Sequence, residues 1–135
     1  KVLPMSAMPG KDFLEKPSPG VKELAGRYAA LLDLYLEMEN VSERVFLAFE
    51  ETAAPNIIIE RIQEKKEVAE RIIRESHDIA ALKQRLAQTG GISREDRELV
   101  REMEERLTGA VNRMVEREDK GRDLVMRRGV RVARR

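Results

Sequence analysis

Residues 21–51, VKELAGRYAALLDLYLEMENVSERVFLAFEE, decide the fold. The stretch has no Pro, and its apolar residues recur at steps of three, four and seven, which places them on one face of an α-helix. These residues are Leu24, Tyr28, Leu31, Tyr35, Met38, Val45 and Phe49. A second apolar set widens that face: Leu32, Leu34, Leu36, Val41, Phe46 and Leu47. The pattern therefore predicts a long central helix that packs against two others.

A second helix is predicted from about residue 55 to residue 88. The pattern of the first helix stops at Thr52, and Pro55 is tolerated in the first turn of a helix but not in its interior. Gly90 and Gly91 supply the backbone conformation that commonly follows a helix end. The predicted buried side contains Ile58, Ile62, Lys65, Ala69, Ile72, Ile73, Ile79, Leu82 and Leu86.

A third helix is predicted from about residue 94 to residue 130. Ser93, followed three residues later by Asp96, is typical of a capped helix start. Gly121 and Gly129 predict fraying toward its end, because glycine weakens helices. Its apolar stripe contains Leu99, Met103, Leu107, Ala110, Val111, Met114, Leu124 and Val125.

These three helices predict an all-α fold, an elongated antiparallel bundle with coiled-coil-like packing over residues 21–135. Residues 1–20 contain all the prolines except Pro55 and are predicted to form an N-terminal tail. The tail is rich in apolar residues, so we expect it to pack on the bundle or on a neighbouring molecule. The longest apolar runs are far too short to span a bilayer, which predicts a soluble protein.

The composition offers little for catalysis. The chain has no Cys and a single histidine, His77, so neither a catalytic triad nor a metal site is expected, and no cofactor is expected. A bundle enzyme of the chorismate mutase type would need several cations converging inside the helices. Arg27, Arg44 and Lys65 are the candidates, but their spacing does not match that family. We therefore expect no enzymatic activity.

Charge is balanced overall and biased at one end. The chain has 26 Lys and Arg against 25 Asp and Glu, but residues 120–135 have seven basic residues against one Asp, a local charge of +6. This basic tail includes Arg127, Arg128, Arg131, Arg134 and Arg135. It can bind phosphates, acidic lipids or an acidic protein surface, or it can merely solvate the negative end of a helix. Nucleic acid is an unlikely partner, because this end has no aromatic residues for base stacking.

Three runs of sequence carry a family resemblance. AALLDLYLE at 29–37, RIQEKKEVA at 61–69 and VEREDK at 115–120 resemble bacterial flagellar export chaperones of the FlgN and FliT type. The likeness covers roughly residues 21–130. It implies a cytoplasmic chaperone whose apolar helical groove shields a helical terminal segment of a hook-associated or filament-cap subunit.

Under that resemblance, partner binding is predicted on the third helix. The candidate residues are Leu107, Val111, Met114, Val115, Leu124, Val125 and Met126. Aliphatic and Met side chains on a helix face adapt well to a partner helix. Two alternatives remain open: a structural coiled-coil protein that pairs with itself as a homodimer, and a binder of anionic surfaces through the basic tail.

Overall fold

The fold consists of three long helices. The computed structural model describes residues 18–90 and 92–134, with side chains described to residue 123 and at 126. Helix α1 spans Pro19–Glu50, α2 spans Pro55–Thr89 and α3 spans Arg94–Arg134, with no strand in the described ranges. The all-α prediction is therefore confirmed. The apolar N-terminal residues 1–17 lie outside the described residues.

Local sequence signals explain the helix ends. Pro19 and Pro55 occupy the first turns of α1 and α2, where their missing N–H groups would have no partner in the helix. Gly90 follows α2 with φ of 66°, a conformation that residues with a Cβ adopt only with strain. Ser93 Oγ accepts a hydrogen bond of 3.1 Å from the Asp96 N–H and caps α3, as predicted.

Helix α3 differs from its prediction at the far end. It continues to Arg134, beyond the predicted end near residue 130, and its backbone is helical at Gly121 and Gly129. One glycine lowers helix stability by only about 1 kcal/mol, which cooperative helix formation on both sides can offset.

Helix α1 forms the centre of the core. It packs against both α2 and α3, whereas α2 and α3 barely contact each other. Its residues Val21, Leu24 and Leu31 are essentially inaccessible to solvent. The prediction of a central helix with two neighbours is confirmed. The side of the bundle between α2 and α3 is therefore its least closely packed side, and we call it the open side.

Two isoleucines predicted as core residues of α2 face solvent. Ile62 is 45% exposed and Ile73 is 57% exposed, whereas Val68 is buried. The buried stripe passes through Val68 and Ile72, and a residue directly after Ile72 lies about 100° around the helix. Ile73 therefore cannot share that stripe, and its assignment to the core was wrong, as was that of Ile62.

Candidate functional site

Two polar clusters connect all three helices. In the first cluster, Tyr28 Oη of α1 donates a 3.1 Å hydrogen bond to Glu104 Oε2 of α3, and Lys83 of α2 donates to the same oxygen. In the second cluster, Ser42 Oγ of α1 donates a 2.6 Å hydrogen bond to Glu118 of α3, and Lys65 of α2 donates to its other oxygen. Each cluster thus combines a hydroxyl, a lysine and a glutamate.

Two groups in these clusters have shifted pKa values. Burial, together with the charge and hydrogen bond of Glu104, raises the pKa of Tyr28 well above its usual value. Burial alone would raise the pKa of Glu118, but hydrogen bonds from Lys65 and Ser42 outweigh it and lower the value. Tyr28 therefore stays a hydrogen-bond donor and Glu118 a charged acceptor, and both connect α1 with α3.

An apolar surface lies between the two clusters on the open side of the bundle. Glu104 and Glu118 are 14 residues apart on α3, or about 21 Å along the helix. Between them, Val115 of α3 is 48% exposed, and Val111 is half-buried. Across the gap, α2 contributes the exposed Ile73 and the half-buried Ala69. We call these four residues the α2–α3 face.

A cleft opens at the end of the bundle where the second cluster lies. Its volume is about 500 Å³, and its lining includes Val45 and Phe46 of α1 together with Gly121 and Met126 of α3. Lys65 and Glu118 of the second cluster also line it. We call this cavity the end cleft. It combines apolar side chains with a charged wall.

The register of α1 and α3 explains why the end cleft is empty. The hydrogen bonds of both clusters join α1 and α3 residues that are 76 positions apart. The same offset pairs an α1 residue with an aliphatic α3 residue in three successive heptads: Leu24 with Val100, Leu31 with Leu107, and Met38 with Met114. The fourth pair is Val45 with Gly121, which has no side chain to fill the layer. Among the described side chains, the cleft therefore coincides with a layer that Gly121 leaves unfilled.

The acidic residues of the end cleft are all neutralised. Glu43 pairs with Arg117 at 3.9 Å, and Glu39 pairs with Arg113 at 3.7 Å. Glu118 pairs with Lys65. The exposed Lys120 and Arg122 stand on the same wall, and Arg122 lies 3.7 Å from the exposed Asp119. The rim is therefore biased toward positive charge, in line with the sequence that follows it.

The predicted partner-binding residues fall into three groups. Leu107 and Met114 are half-buried and pack against the core. Val111 and Val115 belong to the α2–α3 face, and Met126, which is 62% exposed, lines the end cleft. Leu124 and Val125 were also predicted to bind the partner, but their side chains are not among the described ones. The same holds for the side chains of the basic tail: Arg127, Arg128, Arg131, Arg134 and Arg135.

The candidate cations of an enzyme site do not converge. Arg27 pairs with Glu75 at 3.3 Å, and Arg44 is exposed about 25 Å farther along α1. Lys65 is engaged by Glu118. His77 is exposed, and the described part of the chain contains no group of three His, Cys, Asp or Glu residues that could hold a metal ion. Sequence reasoning missed Gly121 as a site residue, since its role depends on the distant Val45.

Comparison with known proteins gives no identity to carry over. No protein-family model, curated protein or solved structure matches this chain. Over the described residues, none of the three helices is long and apolar enough to cross a membrane.

Proposed function

We propose that this chain is a non-enzymatic binding protein that holds an amphipathic helical segment of a partner protein. The proposal extends to a cytoplasmic export chaperone of the flagellar type, whose client is a hook-associated or filament-cap subunit. The observation that carries the proposal is the α2–α3 face, where two long helices that barely contact each other carry exposed aliphatic side chains.

A partner helix would complete a four-helix arrangement on this side. The exposed Ile73 lies between Lys65 and Lys83 on α2, and the exposed Val115 lies between Glu104 and Glu118 on α3. We therefore expect one helix bound along this stretch to contact both. The gap between the clusters is about 21 Å long and accommodates about 14 residues of helix, or four turns. Helix-in-groove recognition uses apolar anchors at three- and four-residue spacing over such a length.

The polar clusters support this use of the gap. Lys65 and Lys83 each reach from α2 to a glutamate of α3, and they fix both ends of the gap. Because each glutamate also accepts a hydrogen bond from α1, the bridges are tied to the core. Such tethering favours a preformed groove, which lowers the ordering cost of binding.

Self-association is the alternative, and an exposed stripe along α2 supports it. A stripe along α2 follows steps of three, four and seven residues, and all its members except the half-buried Ala69 are exposed: Ile59, Ile62, Lys66, Ala69, Ile73 and Ala80. This spacing is typical of a coiled-coil seam. A second copy that covers this seam would give a symmetric homodimer whose only partner is itself.

Substitution of the α2–α3 face tests the proposal. Val115→Glu adds a charge where a client helix would pack, and the residue is already half exposed, so folding should be preserved. We expect binding of purified hook-associated or filament-cap subunits, measured by calorimetry, to weaken at least about tenfold.

Leu36→Glu is the matched control. Leu36 is 53% exposed and lies on the opposite side of the bundle, in the groove between α1 and α3. Its variant should bind clients as the unaltered chain does. A stable dimer in light scattering that binds neither kind of subunit, and that Val115→Glu dissociates, would replace the chaperone proposal with self-association.

A further inference from the structure

The geometry points to the end cleft as the anchor pocket for one bulky apolar side chain, a Phe or Leu, on an acidic helical segment of the partner. This inference rests on the proposed function and specifies which chemistry the partner must carry. Its observations are the size of the cleft, the empty core layer at Gly121 and the positive rim.

The end cleft has the dimensions and lining of a ligand pocket. Its volume of about 500 Å³ leaves room for one bulky side chain together with part of the helix that carries it. Val45 and Phe46 are half-buried, so their apolar surface is only partly covered by the bundle itself. An inserted apolar side chain would take the place that Leu107 and Met114 take in the preceding layers. Ser42, Lys65 and Glu118 of the second cluster form a polar wall of the cleft.

Backbone needs do not explain Gly121. Among the described glycines, only Gly90 has a positive φ, so Gly121 has a helical backbone that any residue can adopt. Among the described side chains, none has an atom within 4 Å of a Cβ placed at Gly121, so none of them demands a glycine there. Glycine also weakens a helix interior more than any residue except proline. What the glycine provides is an open cleft opposite Val45.

Charge selects the kind of helix that carries the anchor. The three glutamates of the cleft each have a cation within 4.0 Å, and Arg122 at the rim lies 3.7 Å from Asp119. The surplus positive charge of the described rim is therefore that of the exposed Lys120. Residues 120–135 have a net charge of +6, and the remaining 119 residues have a net charge of −5. The carboxylates of a partner helix are therefore attracted electrostatically to this end of the bundle.

Peptide binding to the full chain tests the inference. The probe is a fluorescein-labelled, 20-residue helical peptide with a Leu stripe, a Glu-rich polar face and one central Phe; its partner probe has Ala in place of Phe. By fluorescence anisotropy we expect the unaltered chain to prefer the Phe peptide at least about tenfold, a typical anchor effect. Gly121→Leu, which fills the cleft, should reduce that preference to less than about twofold while raising the Tm.

Gly26→Leu is the matched control, because Gly26 is also a helical glycine with nothing within 4 Å of its Cβ, but it is exposed on α1. It should keep the preference for Phe. Equal binding of the two peptides to the unaltered chain, or an unchanged preference in Gly121→Leu, overturns the anchor pocket while leaving helix binding intact. Failure of both peptides to bind counts against the proposed function as well.

Two further arms address the partner's chemistry. Replacing the peptide's Glu residues by Gln should weaken binding to the unaltered chain about tenfold at low salt and less at high salt. Equal binding of the Gln peptide overturns the requirement for an acidic helix. A homodimer in light scattering that Gly121→Leu converts to monomer would assign the cleft to a second copy and overturn the partner assignment.

Discussion

The two ends of the bundle have similar polar clusters but differ in the core layer beside the cluster. Each has a cluster of a hydroxyl, a lysine and a glutamate that connects all three helices. Beside the first cluster, the α1 and α3 layers are filled by pairs such as Leu31 with Leu107. Beside the second cluster, Val45 meets Gly121 and the layer is open.

This difference suggests a division of roles: the end with the filled layer stabilises the fold, and the end with the open layer binds a partner. A filled layer is closed to a partner, whereas an open layer exposes apolar surface that a partner can cover. Departures from an otherwise consistent core pattern are expected at functional positions. If that holds here, the end with Leu31 should dominate the free energy of unfolding, and the end with Val45 should contribute little.

The largest expected effect compares one core truncation at each end. Leu31 is 1% exposed, so Leu31→Ala should lower the free energy of unfolding by about 2–5 kcal/mol through lost burial and a new cavity. Val45→Ala should lower it by less than about 1 kcal/mol, because Val45 is half-buried beside an existing cavity. Urea titration followed by circular dichroism measures both. Similar losses for the two variants would mean that the end cleft is closed in solution.

The second cluster gives the next largest effect, through Glu118. Its lowered pKa means that the folded protein binds this proton less readily than the unfolded chain does. The resulting stabilisation is present above the unfolded pKa of about 4.3 and is lost as the pH falls through the lower folded pKa. Glu118→Gln should therefore cost about 1–2 kcal/mol at pH 7, and this difference should shrink on acidification.

Thermal unfolding of both proteins from pH 7 to pH 3 measures this dependence. Glu102→Gln is the control, because Glu102 lies on the same helix but is exposed and pairs only with Arg106 of its own helix. Its effect should be within about 0.5 kcal/mol at every pH. A difference between Glu118→Gln and the unaltered chain that stays constant with pH would contradict the role of the charge.

The fold followed from local signals, and the site did not. The three- and four-residue steps of α1, together with Pro55 and Ser93, predicted three helices and their order from residues near each other in sequence. Ile72 and Ile73 were both assigned to the core because periodicity alone cannot choose between adjacent apolar residues. Burial separates them, and burial depends on where α1 and α3 lie.

The missed parts of the site depend on contacts between distant residues. Lys65 was expected on the buried side of α2, but its partner Glu118 is 53 positions away, so their pairing requires the register of two helices. Gly121 was interpreted as a weak point of α3, although its structural consequence is an open layer opposite Val45. Val115 and Met126 were predicted as binding residues, and their exposure is consistent with that prediction but does not test it.

The smallest expected effect is the gain in stability when a helical glycine is replaced by alanine. Gly26 and Gly121 both lie inside helices with free space at the Cβ position, so replacing either by Ala should stabilise the protein by about 0.5–1 kcal/mol. Thermal unfolding of Gly26→Ala and Gly121→Ala measures the two gains. If the end cleft is open, one methyl group adds little contact there, and the gains should agree within about 0.3 kcal/mol. A clearly larger gain at Gly121 would mean that the added methyl already touches its surroundings, and thus that the two ends of the bundle are packed alike.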